Sequence, residues 1–306
     1  MTELYKKYRP KDLTDVVGHE SVCKTLSQML ESQKVPHSLM FIGPSGTGKT
    51  TLARIMARRL GCGKVDFQEI NCADTRGIET VRSIKNQMGL SPLRGSCKVW
   101  LLDEFQKATA DAQTALLKPL EDTPGHVFFL ICTTDPHKIL KTIRNRCTEI
   151  SLKLLTPGAI KTLVTKVATA EGLEGISGPT LEALTNAANG SPRKALVILD
   201  QIANLPLAER LKAIEAVDTE RSAIEIARAL INPRTTWGEM ASILKAIEDD
   251  PEGLRHLVLA YCTSILLSGK ADPRAAQIIG RFSVNYFDAG KAGLVVDCYH
   301  IICGGK

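Results

Sequence analysis

The residues Gly43-Pro44-Ser45-Gly46-Thr47-Gly48-Lys49-Thr50 fit the pattern G-x-x-x-x-G-K-[ST], which is a loop built to hold phosphates. Glycines let the backbone wrap round an anion with its N–H groups pointing inward, where a Cβ would obstruct the approach. The helix expected to open at Thr51 adds the positive end of its dipole, which makes the Thr51 N–H part of the same cradle. Lys49 is the residue type that reaches the β- and γ-phosphates, and the Thr50 hydroxyl is a ligand for Mg²⁺. Further along, Val99-Trp100-Leu101-Leu102-Asp103-Glu104 is an apolar run that ends in two carboxylates. Asp103 is expected to hold the magnesium, directly or through water, and Glu104 to polarise an attacking water as general base. Thr134 closes another apolar run, Val127 to Thr133. A threonine there can orient the water or sense the γ-phosphate, or it can simply satisfy the backbone at a strand end. The residues alone favour the second role.

The elements that must position these groups alternate in character. Ser38–Ile42, Asp66–Asn71, Lys98–Leu102, Val127–Thr133 and Cys147–Ser151 read as strands rich in Val, Ile, Leu and Phe, with helical spacing between them. Such alternation predicts a parallel five-stranded sheet covered on both faces, with ligands gathering at the carboxyl ends of the strands. After Thr156-Pro157-Gly158 the pattern becomes helical only: Ala159–Glu171, Pro179–Asn189 and Pro192–Leu205, then a set from about 219 to 300 interrupted by Asn232-Pro233, Asp250-Pro251 and Asp272-Pro273. The expected organisation is an α/β core over 1–155, a small helical lid over 156–217 and a helical collar over 218–306.

Composition excludes several classes. With 306 residues and 44% apolar content, the chain is globular in composition and long enough for two or three domains. Its 39 Lys+Arg exceed 33 Asp+Glu by +6. The whole excess lies in residues 1–64, which hold 11 basic and 5 acidic side chains, an imbalance suited to polyanions. The nine cysteines are scattered, with no C-x-x-C pair, so reduced thiols are expected and no zinc. The N-terminal segment lacks the apolar core of a secretory signal, and Leu257–Leu267 is too short to span a bilayer. The expectation is a soluble protein without a membrane partner.

Taken together, the motifs resemble those of the ATPase subunits of DNA sliding-clamp loaders within the AAA+ superfamily, such as the small subunits of replication factor C, the bacterial gamma subunit and the bacteriophage loader subunits. The matching segments are Tyr8-Arg9-Pro10, Asp15-Val16-Val17-Gly18, the phosphate loop, Ile70 to Ile78, Asp103-Glu104, Ala115-Leu116-Leu117-Lys118, Asn145-Arg146-Cys147 and Gly190-Ser191-Pro192-Arg193. They cover residues 5 to about 200 in the family's order. The resemblance implies an AAA+ core with lid and collar, ATP and Mg²⁺ as ligands, and a role for Thr134 at the γ-phosphate. It implies that Tyr8, Arg9, Pro10 and Val17 wall the adenine. Arg146 would be a finger reaching in trans into a neighbour's nucleotide, and Arg193 would couple the lid to the γ-phosphate. It also implies a pentameric assembly with copies of itself and a different subunit, a sliding clamp and primer–template DNA as partners. The place of work would be the cytoplasm, that of a host if the source is viral, or the nucleus if eukaryotic. Arg82, Lys85 and Lys107 are the candidates for DNA phosphate contacts, a solvated helix face being the other reading of each.

Three departures stand out. The four-cysteine module of the bacterial gamma subunit is reduced to Cys62, which with Arg76-Gly77-Ile78 points toward the replication-factor or phage type. Asn145 replaces the family's serine beside the finger. Pro119 falls where a helix runs on, and is expected to remove one backbone hydrogen bond and bend it. Two other functions fit parts of the pattern: a nucleotide-binding scaffold subunit, which has no need of Glu104, and another AAA+ DNA motor such as a branch-migration ATPase, which would need a winged-helix domain at the C-terminus.

Overall fold

The computed structural model describes residues 3–304 except 76, 248, 249 and 270, so Arg76 of the matched motif lies outside the described residues. The chain divides into two compact units, Met1–Leu205 and Pro206–Lys306.

The first unit opens with α1 (Leu4–Lys7) and α2 (Glu20–Glu31), then alternates β1 (Ser38–Ile42), α3 (Lys49–Arg59), β2 (Phe67–Asn71), α4 (Ile78–Met88), β3 (Lys98–Asp103), α5 (Ala110–Glu121), β4 (Val127–Thr133), α6 (Lys141–Arg144) and β5 (Thr148–Ser151). The strands form one parallel sheet in the order β2-β3-β4-β1-β5. Each strand lies within a residue or so of its sequence-based range. Asp66 falls just outside β2 because its carboxylate accepts hydrogen bonds from the N–H groups of Leu93 (2.8 Å) and Arg94 (2.9 Å), tying down the loop that enters β3.

The two-residue period of a strand sorts the side chains onto two faces. Leu39, Phe41, Val99, Leu101, Leu130 and Cys132 pack with Leu26 of α2 and Leu52, Ile55 and Met56 of α3. Met40, Trp100, Leu102, Phe129 and Ile131 pack on the other side with Val81 and Ile84 of α4, Leu116 of α5 and Ile143 of α6. Burial of each such side chain contributes about 1.5–3 kcal/mol, which makes this sheet the rigid platform for whatever sits at its carboxyl edge. Pro119 lies in the last turn of α5, which continues through it and ends at Glu121. The missing N–H therefore costs one bond at a helix end, and the Thr123 hydroxyl donates to the Pro119 carbonyl at 2.8 Å.

Three helices complete this unit: α7 (Pro157–Ala170), α8 (Gly178–Ala188) and α9 (Pro192–Ala203). Thr156 and Ser191 cap the first and last through their side chains, each followed by proline in the first turn. The Leu155 N–H donates to the Gly190 carbonyl at 2.8 Å, which fixes α9 against the end of the sheet segment.

The second unit holds α10 (Leu207–Ile231), α11 (Trp237–Ala246), α12 (Pro251–Leu267), α13 (Pro273–Phe282) and α14 (Gly290–Cys303), with no strand among its described residues. Asp250 and Asp272 cap α12 and α13 with proline next in line. The division set at 217/218 from sequence lies inside α10. No proline or glycine interrupts 207–231, so one helix runs through, and the contact boundary lies at Leu205/Pro206.

A polar clamp holds this helical unit. Arg255, 7% exposed, pairs with Glu252 and donates through its guanidinium to the Phe282 carbonyl at 2.8 Å, while the Tyr286 N–H donates to Glu252 at 2.8 Å. The Arg255 guanidinium beside it holds the Glu252 carboxyl at about 2, below its ordinary 4.5. A depressed carboxyl stabilises the fold fully above its unfolded value, and that contribution fades as the pH falls from about 4.5 toward 2. Acid unfolding of the parent should therefore steepen in this window, and Glu252→Gln should flatten it while lowering Tm at neutral pH. An unchanged acid limb followed by circular dichroism would contradict this.

Candidate functional site

The carboxyl ends of β1, β3 and β4 meet in register: Ile42 lies opposite Thr133, and Leu102 opposite Ile131. The chain leaves β1 through Gly43, whose N–H donates to the Thr133 carbonyl at 3.2 Å. A Cβ on Gly43 would lie 2.3 Å from the Leu152 carbonyl oxygen, a separation no side chain tolerates. Gly48, at φ 102°, turns the loop into α3 in a conformation that costs any other residue. Glycine is thus demanded by the path of the loop, and that path leaves N–H groups and the first turn of α3 facing a common space.

Lys49 is 6% exposed, and its Nζ donates to the carbonyls of Gly43 and Pro44, each at 2.8 Å. Burial pushes its ammonium below the usual lysine range, opposed in part by the carboxylates of Glu104 and Asp103. A polyanion in the cleft would offset that desolvation. The Thr47 hydroxyl donates to the Pro44 carbonyl at 2.8 Å, bracing the loop from within. Thr50 Oγ1 donates to Asp103 Oδ2 at 2.8 Å, so hydroxyl and carboxylate are brought together as the sequence reading requires. Such a pair suits Mg²⁺, which keeps waters and takes one or two protein oxygens together with substrate phosphates. Among the described residues no group of three or more His, Cys, Asp or Glu gathers as a metal site.

Glu104 follows at φ 51°, a left-handed backbone that is unusual for glutamate and recurrent at functional sites. Its N–H donates to Asp103 Oδ1 at 2.9 Å, which turns the side chain away from the strand axis. The carboxylate accepts from Gln106 Nε2, and the same nitrogen donates to Thr134 Oγ1 at 2.8 Å. Gln106 is 9% exposed. Sequence reasoning missed it; its only signal is a polar residue just past an acidic strand end, where a loop would ordinarily leave it in solvent.

A cleft of about 390 Å³ opens over these groups, within the size range of small-molecule sites. Its lining includes Tyr8, Arg9, Pro10 and Val17, the loop from Ser45 to Thr51, Asp103 and Glu104, and Arg193. Val16, Leu163, Val167 and Leu196 add apolar surface to the lining, and Leu163, Val167 and Leu196 were not singled out as site residues from sequence. His19 Nε2 lies 3.1 Å from the Thr47 carbonyl, linking the wall to the loop. The Arg193 guanidinium stands 5.5 Å from the centre of the Tyr5 ring. A Cβ on Gly46 would come within 2.3 Å of Ser191 Oγ, so the start of α9 rests directly on the phosphate loop. Thr134 is not among the lining residues and is joined to Glu104 through Gln106.

The remaining candidates lie elsewhere. Arg146 is not part of the cleft lining of its own chain; its guanidinium donates to the Thr142 carbonyl at 2.8 Å and pairs with Glu121 at the end of α5. Arg82 and Lys85 occupy the exposed face of α4, where Arg82 also pairs with Glu79 at 2.5 Å, and Lys107 is exposed in the turn after β3. No described helix is long and apolar enough to cross a membrane.

A family model described as DNA polymerase III, delta subunit, matches residues 18–80 and 72–156. The chain is 36% identical over 219 residues to DNA polymerase III subunit tau of Bacillus subtilis, covering 65% of this chain and 39% of that protein. It is 35% identical over 219 residues to the tau subunit of Escherichia coli K12, covering 65% and 34%. This chain therefore spans about two-fifths or less of the length of these relatives. Both of these relatives are tau subunits, whereas the reduced cysteine module points toward the replication-factor or phage type. Among solved structures, the Thermotoga maritima RuvB Holliday junction branch migration motor superposes with a TM-score of 0.59 at 21% identity, covering 87% of this chain and 94% of that one. At that identity the likeness is one of fold.

Proposed function

We propose that this chain, similar to a DNA polymerase III delta-subunit model over residues 18–156 and to tau subunits, belongs with the AAA+ subunits of bacterial clamp loaders and is an ATP-hydrolysing subunit that opens a sliding clamp and places it on primer–template DNA. The observation that carries the reading is the 2.8 Å contact between Thr50 and Asp103, which joins the phosphate loop to the acidic strand end, with Glu104 beside it in the lining of the cleft.

The residues divide the work among themselves. The loop N–H groups and Lys49 bind the phosphates, and the apolar wall with Tyr8, Arg9, Pro10 and Val17 takes the adenine. Thr50 and Asp103 would hold Mg²⁺, which when bound supplies charge neutralisation on the phosphate oxygens. Glu104 accepts a proton from the attacking water, and Thr134 orients that water through its hydroxyl. Arg193, at the start of α9, translates the presence of the γ-phosphate into a position of the lid. Arg146 completes the site of a neighbouring subunit, so that turnover requires assembly, here a pentamer with a different subunit alongside copies of this one. Arg82, Lys85 and Lys107 contact DNA phosphates without reading sequence, so binding falls steeply with salt. The work belongs in the cytoplasm. The core, lid and collar act as three parts, with the lid ending where α10 begins.

The scaffold alternative leaves Glu104, its strained backbone and its hydrogen bonds without purpose. The branch-migration alternative lacks the strands of a winged-helix domain among the described residues of the second unit. Steady-state ATP turnover of the assembled complex tests the proposal: clamp and primer–template DNA added together should raise it about tenfold or more, as expected when both ligands complete the transition-state arrangement. Equal turnover with four-way junction DNA and no response to clamp would overturn it.

A further inference from the structure

Gln106 makes four side-chain hydrogen bonds, with its own side chain largely buried. Its Oε1 accepts from Thr133 Oγ1 at 2.9 Å and from the Thr134 N–H at 3.3 Å, and its Nε2 donates to Glu104 and to Thr134 Oγ1. The Thr134 N–H has only a hydrogen to give, so the amide oxygen must face it, and the amide nitrogen is thereby aimed at Glu104. Both hydrogens of that nitrogen are used, and both lone pairs of the oxygen. Thr133 Oγ1 is itself fixed by accepting from the Asp135 N–H at 3.1 Å.

We infer that Gln106 is a positioning residue that sets the Glu104 carboxylate for water activation and ties its placement to that of Thr134. The geometry divides the carboxylate: one oxygen is held by the amide, and the other is left for the water. It likewise divides Thr134 Oγ1, which accepts from Gln106 and so keeps its own hydrogen to donate toward the cleft. A shift of Thr134 toward a γ-phosphate would pull on the same amide that holds Glu104, so base and phosphate sensor move as one unit. Phe105, 2% exposed in the core beside Gln106, anchors the turn that makes this possible.

The inference rests on Glu104 being the general base, and the experiment separates the two. Gln106→Met keeps length and volume but gives no hydrogen bond. In the complete complex with clamp and primer–template DNA, it should lower kcat about tenfold to hundredfold, a share of the ~10²–10⁴ that a general base supplies. The KM for ATP should stay at the parent value, with Tm lowered only by the cost of leaving the Thr133 hydroxyl and Thr134 N–H without that acceptor. Placed in the Glu104→Gln background and followed by single-turnover hydrolysis, it should add no further loss, because it acts through that carboxylate. Should the lost acceptor at Thr133 and Thr134 unfold the chain, Gln106→Asn, an amide one methylene shorter, carries the same expectation. Parent kcat in both variants, or an equal further loss in the Glu104→Gln background, would overturn the assignment to Gln106. Normal turnover of Glu104→Gln alone would instead overturn the assignment of the base.

Discussion

Arg146→Ala in the assembled complex should bind ATP within about twofold of the parent yet lose turnover by about 10³- to 10⁵-fold, the range over which arginine fingers act in phosphoryl transfer. The two halves of this expectation have separate grounds. Every group that lines the cleft belongs to other segments of the chain, from Tyr5 to Thr51, Asp103 and Glu104, and α7 and α9. Removing Arg146 therefore leaves the binding determinants intact. The loss of turnover follows from charge: the guanidinium would meet the γ-phosphoryl oxygens of a neighbour only as negative charge develops there. In this chain Arg146 is held by Glu121 and by the Thr142 carbonyl, so it must exchange those partners to reach a neighbour. Unimpaired hydrolysis by the alanine variant, with clamp and DNA present, would remove the finger from the scheme.

Glu104→Gln is the second large effect. The substitution preserves shape and leaves the Asp103–Thr50 pair untouched, but a neutral amide cannot accept the proton of water. Turnover should fall by about 10²- to 10⁴-fold with ATP affinity kept. Stopped-flow binding alongside quenched hydrolysis separates the two quantities. Full turnover would revive the scaffold alternative, in which nucleotide serves assembly only.

The strands and the phosphate loop were legible because their signals are local. Leu39 to Ile42 and Val99 to Leu102 are continuous apolar runs, as strands covered on both faces must be. Asp250-Pro251 and Asp272-Pro273 mark helix starts, since aspartate caps and proline suits the first turn. The contact of Thr50 with Asp103 could be anticipated from the rule that parallel strands present their carboxyl ends together. What escaped is what depends on side chains from three separate segments meeting. Gln106 reads as an ordinary loop amide until Thr133, Thr134 and Glu104 are seen around it. The apolar wall from α7 and α9 is likewise a consequence of how the lid helices settle on the loop, which periodicity alone does not convey. The boundary drawn at 217/218 falls inside α10, because no proline or glycine breaks the helix there.

The most direct measurement is capture by the Glu104→Gln chain in its assembled complex. Immobilised with ATP, it should retain a ring-shaped sliding clamp and release it when ATP is replaced by ADP, both read by mass spectrometry of the bound fraction. Equal recovery of the clamp with either nucleotide, or recovery of recombination proteins in its place, would contradict an ATP-driven hold on the clamp.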